Sequence, residues 1–541
     1  MNETTVFRAR KVITMDPNRP EATHVAVRDG RILAVGGPDC AEGWGGGRAD
    51  DSLSDSVLLP GFIEGHSHLQ AGALWRFCYV GFHDRRDPEG RLWPGAPDAE
   101  AVIARLREFG AKLPAGEPLI AWGLDPIFLT GERLNRTHLD KASTERPIVI
   151  LHQSLHLVTT NSAALDVAGF GPGTNIEGVM MEGGRPNGEL RELGAMFPLF
   201  RRLGFDLRRL SRGKEALTMF AEAARRVGVT TATDLFSTVE EDEVDELLAF
   251  FGRPDIPLRL VPSLASVGAK PEEIVAKALR LRARATDKLR FGAIKVMTDG
   301  SIQGFTGRLK WPGYLGGQPN GLWNTAPEEL LALVEACHAA GLQMNLHANG
   351  DEASEVTIDA LAAAIGGHPP RDHRHIIQHG QMIGADQFRR MRALGLCANL
   401  FANHLFYYGD QHAAVTMGED RARRMNACRA CLDEGVPLAI HSDAPVTPMG
   451  PLTVAWCAAN RITGSGRVLG PEQRITVMEA LRAVTLGVAH TMHLDRDLGS
   501  IETGKIADFA VLGEDPTAIP PEELREVPVR GTVFAGTPRL N

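Results

Sequence analysis

Short runs of alternating apolar and polar residues occur near both ends of this chain. Such alternation is typical of strands that bury one face, and the Asp29-Gly30 step between two N-terminal runs indicates a hairpin turn. We predict that the two ends together build one small β-sandwich domain. The runs are residues 6–15, 23–29, 31–37, 505–515 and 529–536.

The middle of the chain alternates apolar strand-like runs with amphipathic helices. Two helical segments, residues 327–341 and 385–395, end at glycine, as helices often do. The number and spacing of the strand-like runs predict an α/β fold, a (β/α)8 TIM-like barrel. The eight runs are residues 56–68, 229–236, 258–264, 289–300, 342–351, 373–380, 396–404 and 436–446.

Residues 76–200 do not fit a simple connection between two barrel strands. They contain strand-like pieces of their own, residues 117–126 and 146–162, together with glycine-rich turns. We predict an inserted α/β subdomain beside the active-site mouth. The predicted division is a β domain at 1–58 and 492–541, a barrel at 59–75 and 201–491, and the insertion at 76–200.

Composition narrows the class of protein. The chain has 541 residues, of which 43% are hydrophobic, and its net charge of -9 gives no electrostatic basis for binding nucleic acid or an anionic membrane. It shows neither a signal-peptide pattern nor an apolar run of bilayer length, so we expect a cytoplasmic protein. Its seven cysteines argue against a disulfide framework, and the Cys428-x-x-Cys431 pair fits helix packing better than a zinc or redox site.

The sharpest chemical signal is the His66-Ser67-His68 triplet at the end of an apolar strand-like run. Residues two apart on a strand point to the same face, so both imidazoles can bind one ion. A hydrogen-bonded histidine pair in a loop is the alternative. The metal site is favoured because other suitable ligands follow on later strands. These further candidates are Lys295, His347, His379 and Asp443.

Lys295 lies in an apolar run, where an ammonium without a partner would carry a high desolvation cost. Carbamylation would convert its amine into an anionic oxygen ligand that bridges two metal ions. Pairing with Asp299, or with a substrate carboxylate, is the alternative.

Each of the three later strand ends offers different chemistry. His347 and His379 can each bind a divalent ion or hold a substrate oxygen. Asp443 shares a strand face with His441, and its carboxylate can both bind metal and exchange a proton with water.

Several segments carry a resemblance to a known family: PGFIEGHSH, KVMTDGSIQGFTG, LHANGDEA, HIIQHGQ, HSDAPV and LGSIETGKIADFAVL. They resemble the motifs of the amidohydrolase superfamily (amidohydrolase family 3), in particular the branch similar to N-substituted formamide deformylase. The likeness spans nearly the whole chain. Glu64 stands where the family usually has aspartate, and Gly350 stands where its deaminases generally carry glutamate.

The resemblance implies a hydrolase that attacks a carbonyl with metal-activated water. It implies one or two divalent ions, zinc being the first expectation, with Lys295 carbamylated and a homodimer as the assembly. Asp443 would pass a proton to the leaving amine, His379 would stabilise the oxyanion, and His156 would hydrogen-bond the substrate carbonyl unless its role is structural. The implied ligands are His66, His68, Lys295, His347, His379 and Asp443.

Aromatic residues follow several predicted strands, in loops that border a barrel mouth. We therefore expect a small, apolar or aromatic N-formyl or N-acyl amine as substrate, with rim packing as the alternative role for these residues. The substrate-binding candidates are Trp75, Phe236, Phe305, Trp311, Tyr407 and His441.

Other functions are compatible with the same fold and the same candidate residues. A carbamate, ester or cyclic-imide bond could be cleaved by the same attack, and a non-catalytic, ligand-sensing regulator could share the fold. The complete ligand set, with an aspartate able to transfer protons, favours an enzyme.

The double variant His66→Ala/His68→Ala should lose bound metal, because it removes two neighbouring imidazole ligands. Elemental analysis of protein purified without chelator measures this. About two metal equivalents in the unaltered protein indicate a Lys295-bridged pair, and about one indicates a mononuclear site. No metal, even after zinc is supplied, would contradict the metal-site hypothesis.

Overall fold

A curled sheet of eight parallel strands lies at the centre of the computed structural model, which describes residues 3–129, 131–241, 243–368 and 372–541. The strands pair in chain order, and a parallel bridge between Ser67 and Ala444 brings the first and eighth strands together. This sheet fits the predicted TIM-like barrel. Its strands are Phe62–Glu64, Val229–Ser237, Arg259–Ala265, Ala293–Met297, Gln343–Ala348, Ile376–His379, Cys397–Leu400 and Leu438–Ile440.

Strands from both ends of the chain form a second, mixed sheet. Its hairpin turns at Asp29 and Gly30, whose φ values of 53° and 73° suit the two-residue turn predicted there. Phe7 and Phe509 pack in one apolar cluster. The strands join into one sheet, and the two-layered sandwich stays a prediction. They are Thr5–Ile13, Glu21–Arg28, Arg31–Gly36, Arg48–Asp50, Val57–Pro60, Phe509–Leu512, Val529–Phe534 and Thr537–Leu540.

A third sheet lies within the predicted insertion and has an apolar core of its own, which includes Tyr79 and Trp122. Arg85–Arg86 and Leu92–Trp93 form a separate two-stranded ribbon nearby. The strands of the third sheet are Cys78–Tyr79, Leu119–Leu124, Ile148–His152, Leu157–Thr160, Val179–Glu182 and Arg185–Arg191. The exact domain boundaries stay predictions.

Helices cover the barrel and the insertion, and none of those described has the length and apolar character needed to cross a membrane. Helix Ala385–Leu394 ends at Gly395, whose φ of 70° a side chain would disfavour. The α-helices are Gln70–Ala73, Ala99–Gly110, Arg136–Asp140, Ser162–Ala168, Glu192–Leu203, Leu207–Ser211, Lys214–Arg226, Glu243–Gly252, Pro271–Arg282, Pro327–Ala339, Asp351–Gly367, Ala385–Leu394, His404–Gln411, Glu419–Ala422, Cys428–Asp433, Pro451–Asn460, Val477–Ala483 and Leu486–Thr491. Short 3-10 helices are Glu42–Trp44, Leu74–Arg76, Pro126–Phe128, Leu315–Gly317, Pro471–Gln473 and Pro521–Glu526, and His412–Thr416 is a π-helical turn.

The Cys428-x-x-Cys431 pair lies on helix Cys428–Asp433, with both side chains buried in the apolar cluster of the barrel. All seven cysteines are free thiols. This buried placement agrees with the prediction that the two cysteines contribute to helix packing.

A buried ion pair connects the barrel to the sheet built from the termini. Arg259 begins the third barrel strand and donates to Asp508 at 2.7 Å, and the two side chains are only 2% and 3% exposed. The other oxygen of the Asp508 carboxylate accepts a hydrogen bond from the backbone N–H of Ala535 at 2.8 Å. Such a pair is costly to break, because the remaining charge stays buried.

Asp508→Asn should lower the free energy of unfolding by about 3 kcal/mol or more, since it leaves the Arg259 guanidinium without its counter-charge. Urea unfolding followed by circular dichroism measures the change. Asp420→Asn is the matched control, because its pair with Arg424 is 93% and 64% exposed and should contribute nothing measurable. Equal stability of the two variants would contradict this role for the buried pair.

Candidate metal centre and cavity

The predicted metal ligands lie within barrel strands or just beyond their carboxyl ends, and all of them line one cavity. Because parallel strands end at the same face of a barrel, side chains far apart in the chain meet there. The cavity volume is about 470 Å³, which suits a small organic molecule. The six residues are His66, His68, Lys295, His347, His379 and Asp443.

Asp443 stands at the centre of this group. Its carboxylate lies 3.2 Å from Nε2 of His68, 3.5 Å from Nε2 of His66 and 3.7 Å from Nδ1 of His379. The ammonium nitrogen of Lys295 is 3.5 Å from Nε2 of His66. Imidazole nitrogens and a carboxylate oxygen at these separations match the donors that zinc prefers.

Two sets of ligand atoms come close enough to share an ion. One set is His66, His68 and Asp443, and the other is His66, His379 and His441; within each set the ligand atoms lie within 4.8 Å of one another. Nδ1 of His379 and both ring nitrogens of His441 are buried and make no hydrogen bond to the described residues. Buried polar atoms normally have a partner, so this geometry fits a metal ion.

His347 is placed somewhat differently from the other predicted ligands. Its Nε2 lies 3.1 Å from the side-chain nitrogen of Asn349 and 3.3 Å from the carbonyl oxygen of Gly300. Its ring nevertheless packs against His379, with centroids 4.5 Å apart. Its role as a ligand stays a prediction.

Burial sets the protonation of the centre. It lowers the pKa values of His66, His347 and His379 well below the usual value, so these imidazoles are neutral and able to bind metal. Burial alone would raise the pKa of Asp443, but the hydrogen bond and charge of His68 hold it below its ordinary value. Burial also lowers the pKa of Lys295 to about 7.

A chain of amides orients His66. Nδ1 of His66 lies 2.8 Å from the side-chain oxygen of Gln378, which also accepts a hydrogen bond from Asn399 at 2.9 Å. The amide nitrogen of Gln378 in turn donates to Asn345 at 2.7 Å. Because Gln378 presents an acceptor, Nδ1 of His66 carries the proton and Nε2 is left free to bind an ion. Sequence reasoning missed these residues, although polar side chains inside apolar strands were an available signal.

Glu64 joins the two chain segments that carry the first and last ligands. One of its carboxylate oxygens accepts from the backbone N–H groups of His66 at 3.2 Å and Ser442 at 3.1 Å. The other accepts from the Ser442 hydroxyl at 2.6 Å. Burial raises the pKa of Glu64 to about 7, against these hydrogen bonds. The glutamate therefore connects the first and eighth strands next to the ligands.

His156 reaches the cavity from the insertion. Its Nδ1 lies 2.8 Å from the Glu192 carboxylate, and its ring centroid is 5.4 Å from that of His347. Burial alone would lower the pKa of His156, but the Glu192 charge raises it above the usual value. The imidazole is thus held with a proton on Nδ1, facing the predicted metal ligands.

The predicted substrate-binding residues are dispersed. Phe236 lines the cavity, whereas the structure does not bring the other aromatic candidates to its lining. Trp75 packs on Trp122 in the core of the insertion, and Trp311 is 94% exposed. Phe305 contacts Tyr314, Tyr407 contacts His83, and His441 stacks on His66. Residues in loops after strands can pack on one another as well as on a ligand, so position in the sequence could not separate the two.

A helix of the insertion supplies the apolar lining that sequence reasoning missed. The wall helix, Glu192–Leu203, places Leu193, Met196, Phe197 and Phe200 along the cavity. Their spacing of three and four residues marks one face of a helix. This periodicity is visible in the sequence, but it does not tell what the face covers.

The fold is thus a curled parallel sheet of the barrel type, and it carries a candidate metal centre. A metal-dependent hydrolase from Pyrococcus horikoshii OT3 is similar in structure, with a TM-score of 0.72 and 20% identity over 96% of this chain and 99% of that one. The family model of the Amidohydrolase family matches residues 52–539, and the chain belongs to that family.

Two relatives match over most of their length. Protein LONG AFTER FAR-RED 3 of Arabidopsis thaliana is 27% identical over 93% of this chain and 85% of its own. N-substituted formamide deformylase of Arthrobacter pascens is 25% identical over 98% of this chain and 96% of its own.

The bicarbonate dependence of metal uptake should increase as the pH rises through about 7. Below that value Lys295 is an ammonium, and above it the neutral amine needed for carbamylation dominates. Zinc titrations with and without bicarbonate, over a pH series, measure the effect.

Lys295→Ala should remove this dependence, and a short carboxylic acid such as propionate should restore zinc binding by supplying the missing oxygen ligand. Lys112→Ala is the surface control, since that side chain is 69% exposed. Uptake independent of bicarbonate at every pH would exclude carbamylation.

Proposed function

We propose that this protein hydrolyses the carbon–nitrogen bond of a small apolar or aromatic N-formyl or N-acyl amine. The observation that carries the proposal is the Asp443 carboxylate, which is buried, lines the cavity and lies within 3.7 Å of three imidazole nitrogens. The similarity to a formamide deformylase supports this substrate class.

The donor set fits one or two divalent ions, and we propose zinc. His66 and His68 would hold an ion with Asp443, His379 and His441 offer the second set of donors, and carbamylated Lys295 would add an oxygen ligand. When bound, such an ion supplies Lewis-acid chemistry, because it polarises a carbonyl group and acidifies a coordinated water.

The residues of the chain supply the proton transfers. Asp443 accepts a proton from the attacking water as the new carbon–oxygen bond forms, and delivers it to the amine nitrogen as the carbon–nitrogen bond breaks. The products are a carboxylic acid, formic acid for a formamide, and a free amine. Because Glu192 raises the pKa of His156, its imidazolium form can donate from Nδ1 to Glu192 and from Nε2 to the carbonyl oxygen, where negative charge develops. His379 provides a second imidazole beside that oxygen.

Other features are proposals that follow from the family likeness and from composition. We propose a cytoplasmic homodimer that binds neither nucleic acid nor membrane. The domains are proposed as 1–58 with 492–541 for a β-sandwich, 59–75 with 201–491 for the barrel, and 76–200 for the insertion. Carbamates, esters and cyclic imides belong in the first substrate panel, because the same residues could act on them.

Asp443→Asn should keep the fold and reduce kcat by about a thousandfold or more, because an amide cannot carry the proton to the leaving amine. Formate release from N-benzylformamide, with metal content and circular dichroism measured on the same samples, tests this. Asp420→Asn is a surface control that should retain activity. Turnover close to that of the unaltered enzyme would remove Asp443 from the proton-transfer role, and an unaltered, metal-loaded enzyme that cleaves no amide, carbamate, ester or imide would refute the hydrolase proposal.

A further inference from the structure

The wall helix begins at the metal centre and leads away from it. Its first residue, Glu192, contacts His156, and His156 faces His347 across the cavity. Leu193 and Phe200 lie seven residues apart on the same helix face, which is about 10 Å at the helical rise. The apolar face therefore forms a strip that starts beside the reactive groups.

Polar groups bound this strip at its far end. Arg201, four residues after Phe197, is exposed and lines the cavity, and Arg208 lines it as well. The Arg208 guanidinium lies 5.3 Å from the ring centre of Phe197, so that it borders the apolar surface. The strip thus has a polar beginning at the metal centre, an apolar middle and a polar end.

The strip faces a cavity although its side chains are large and apolar. Phe197 borders Arg208 and Phe200 contacts Phe205, yet both rings are only half-buried, and a small compact substrate at the metal centre would leave their remaining surface uncovered. A ligand that extends along the helix would cover them, at a gain of about 25 cal/mol for each Å² of apolar surface removed from water.

We infer that the substrate carries an extended apolar arm, an alkyl or aryl-alkyl group, on one side of its scissile carbon–nitrogen bond, and that the wall helix selects this arm by length. The inference rests on the proposed function for the identity of the bond. It adds the class of substituent and assigns specificity to a helix of the insertion, where Met196, Phe197 and Phe200 contact the arm.

Two substrate series test the inference: N-alkylformamides place the arm on the amine side, and N-methylalkanamides place it on the acyl side. In one of them kcat/KM should rise about fourfold for each added methylene, from butyl towards octyl. It should then level off once the arm reaches Arg201. A flat profile in both series would overturn the inference.

Phe197→Ala should reduce the preference for octyl over butyl about tenfold, because it removes apolar surface from the strip. Phe109→Ala is the matched control, a half-buried phenylalanine of the insertion that packs outside the cavity. It should retain the unaltered length profile. An equal loss of preference in both variants would indicate a general structural effect and count against the strip.

Failure of the proposed function can be recognised separately. If neither series is hydrolysed, calorimetry with octylamine and octanoate against butylamine and butanoate measures recognition of the arm without turnover. Tighter binding of an octyl compound, weakened by Phe197→Ala, would support the strip even though amide hydrolysis had failed. Equal binding of the long and short compounds would overturn the inference.

Discussion

The centre depends on keeping a carboxylate charged where almost no water reaches it. Asp443 is 6% exposed, and an ionised carboxylate at such a position must be paired or bound to metal. Of the surrounding imidazoles, His68 lies nearest, with Nε2 3.2 Å from the carboxylate. The same burial lowers the pKa values of His66 and His379 and leaves these two imidazoles neutral, which is the form that binds a divalent ion. One constraint, low solvent access, therefore acts on both the Asp443 carboxylate and the candidate ligands.

Hydrogen bonds from other segments hold the loop around Asp443 in place. The Ser67–Ala444 bridge and the Glu64 carboxylate join the segments that follow the first and eighth strands. From the insertion, the buried guanidinium of Arg85 donates to the carbonyl oxygens of Pro445 and Val446, each at 2.6 Å. The barrel strands carry the candidate ligands, and Arg85 of the insertion contacts the loop that follows Asp443, the last of them.

The insertion also contributes part of the cavity lining. Its His156–Glu192 pair faces the ligands, and its wall helix covers one side with apolar groups. A shared barrel does not determine a substrate, because function resides in the side chains placed at the site. The insertion therefore adds side chains to the cavity that the barrel strands do not supply.

The sequence by itself determined the barrel strands, the joint sheet of the two termini and the convergence of six chemically suitable residues on one cavity. Strand periodicity and the rule that parallel strands end at one face carry that information locally. Only the tertiary structure decided that His441 lies among the ligand atoms, that Gln378 orients His66, and that Phe197 lines the cavity whereas Trp311 faces solvent. These contacts join segments that are far apart in the chain. An apolar pattern indicates that a helix or strand face is buried, but it does not identify the segment or ligand that covers that face.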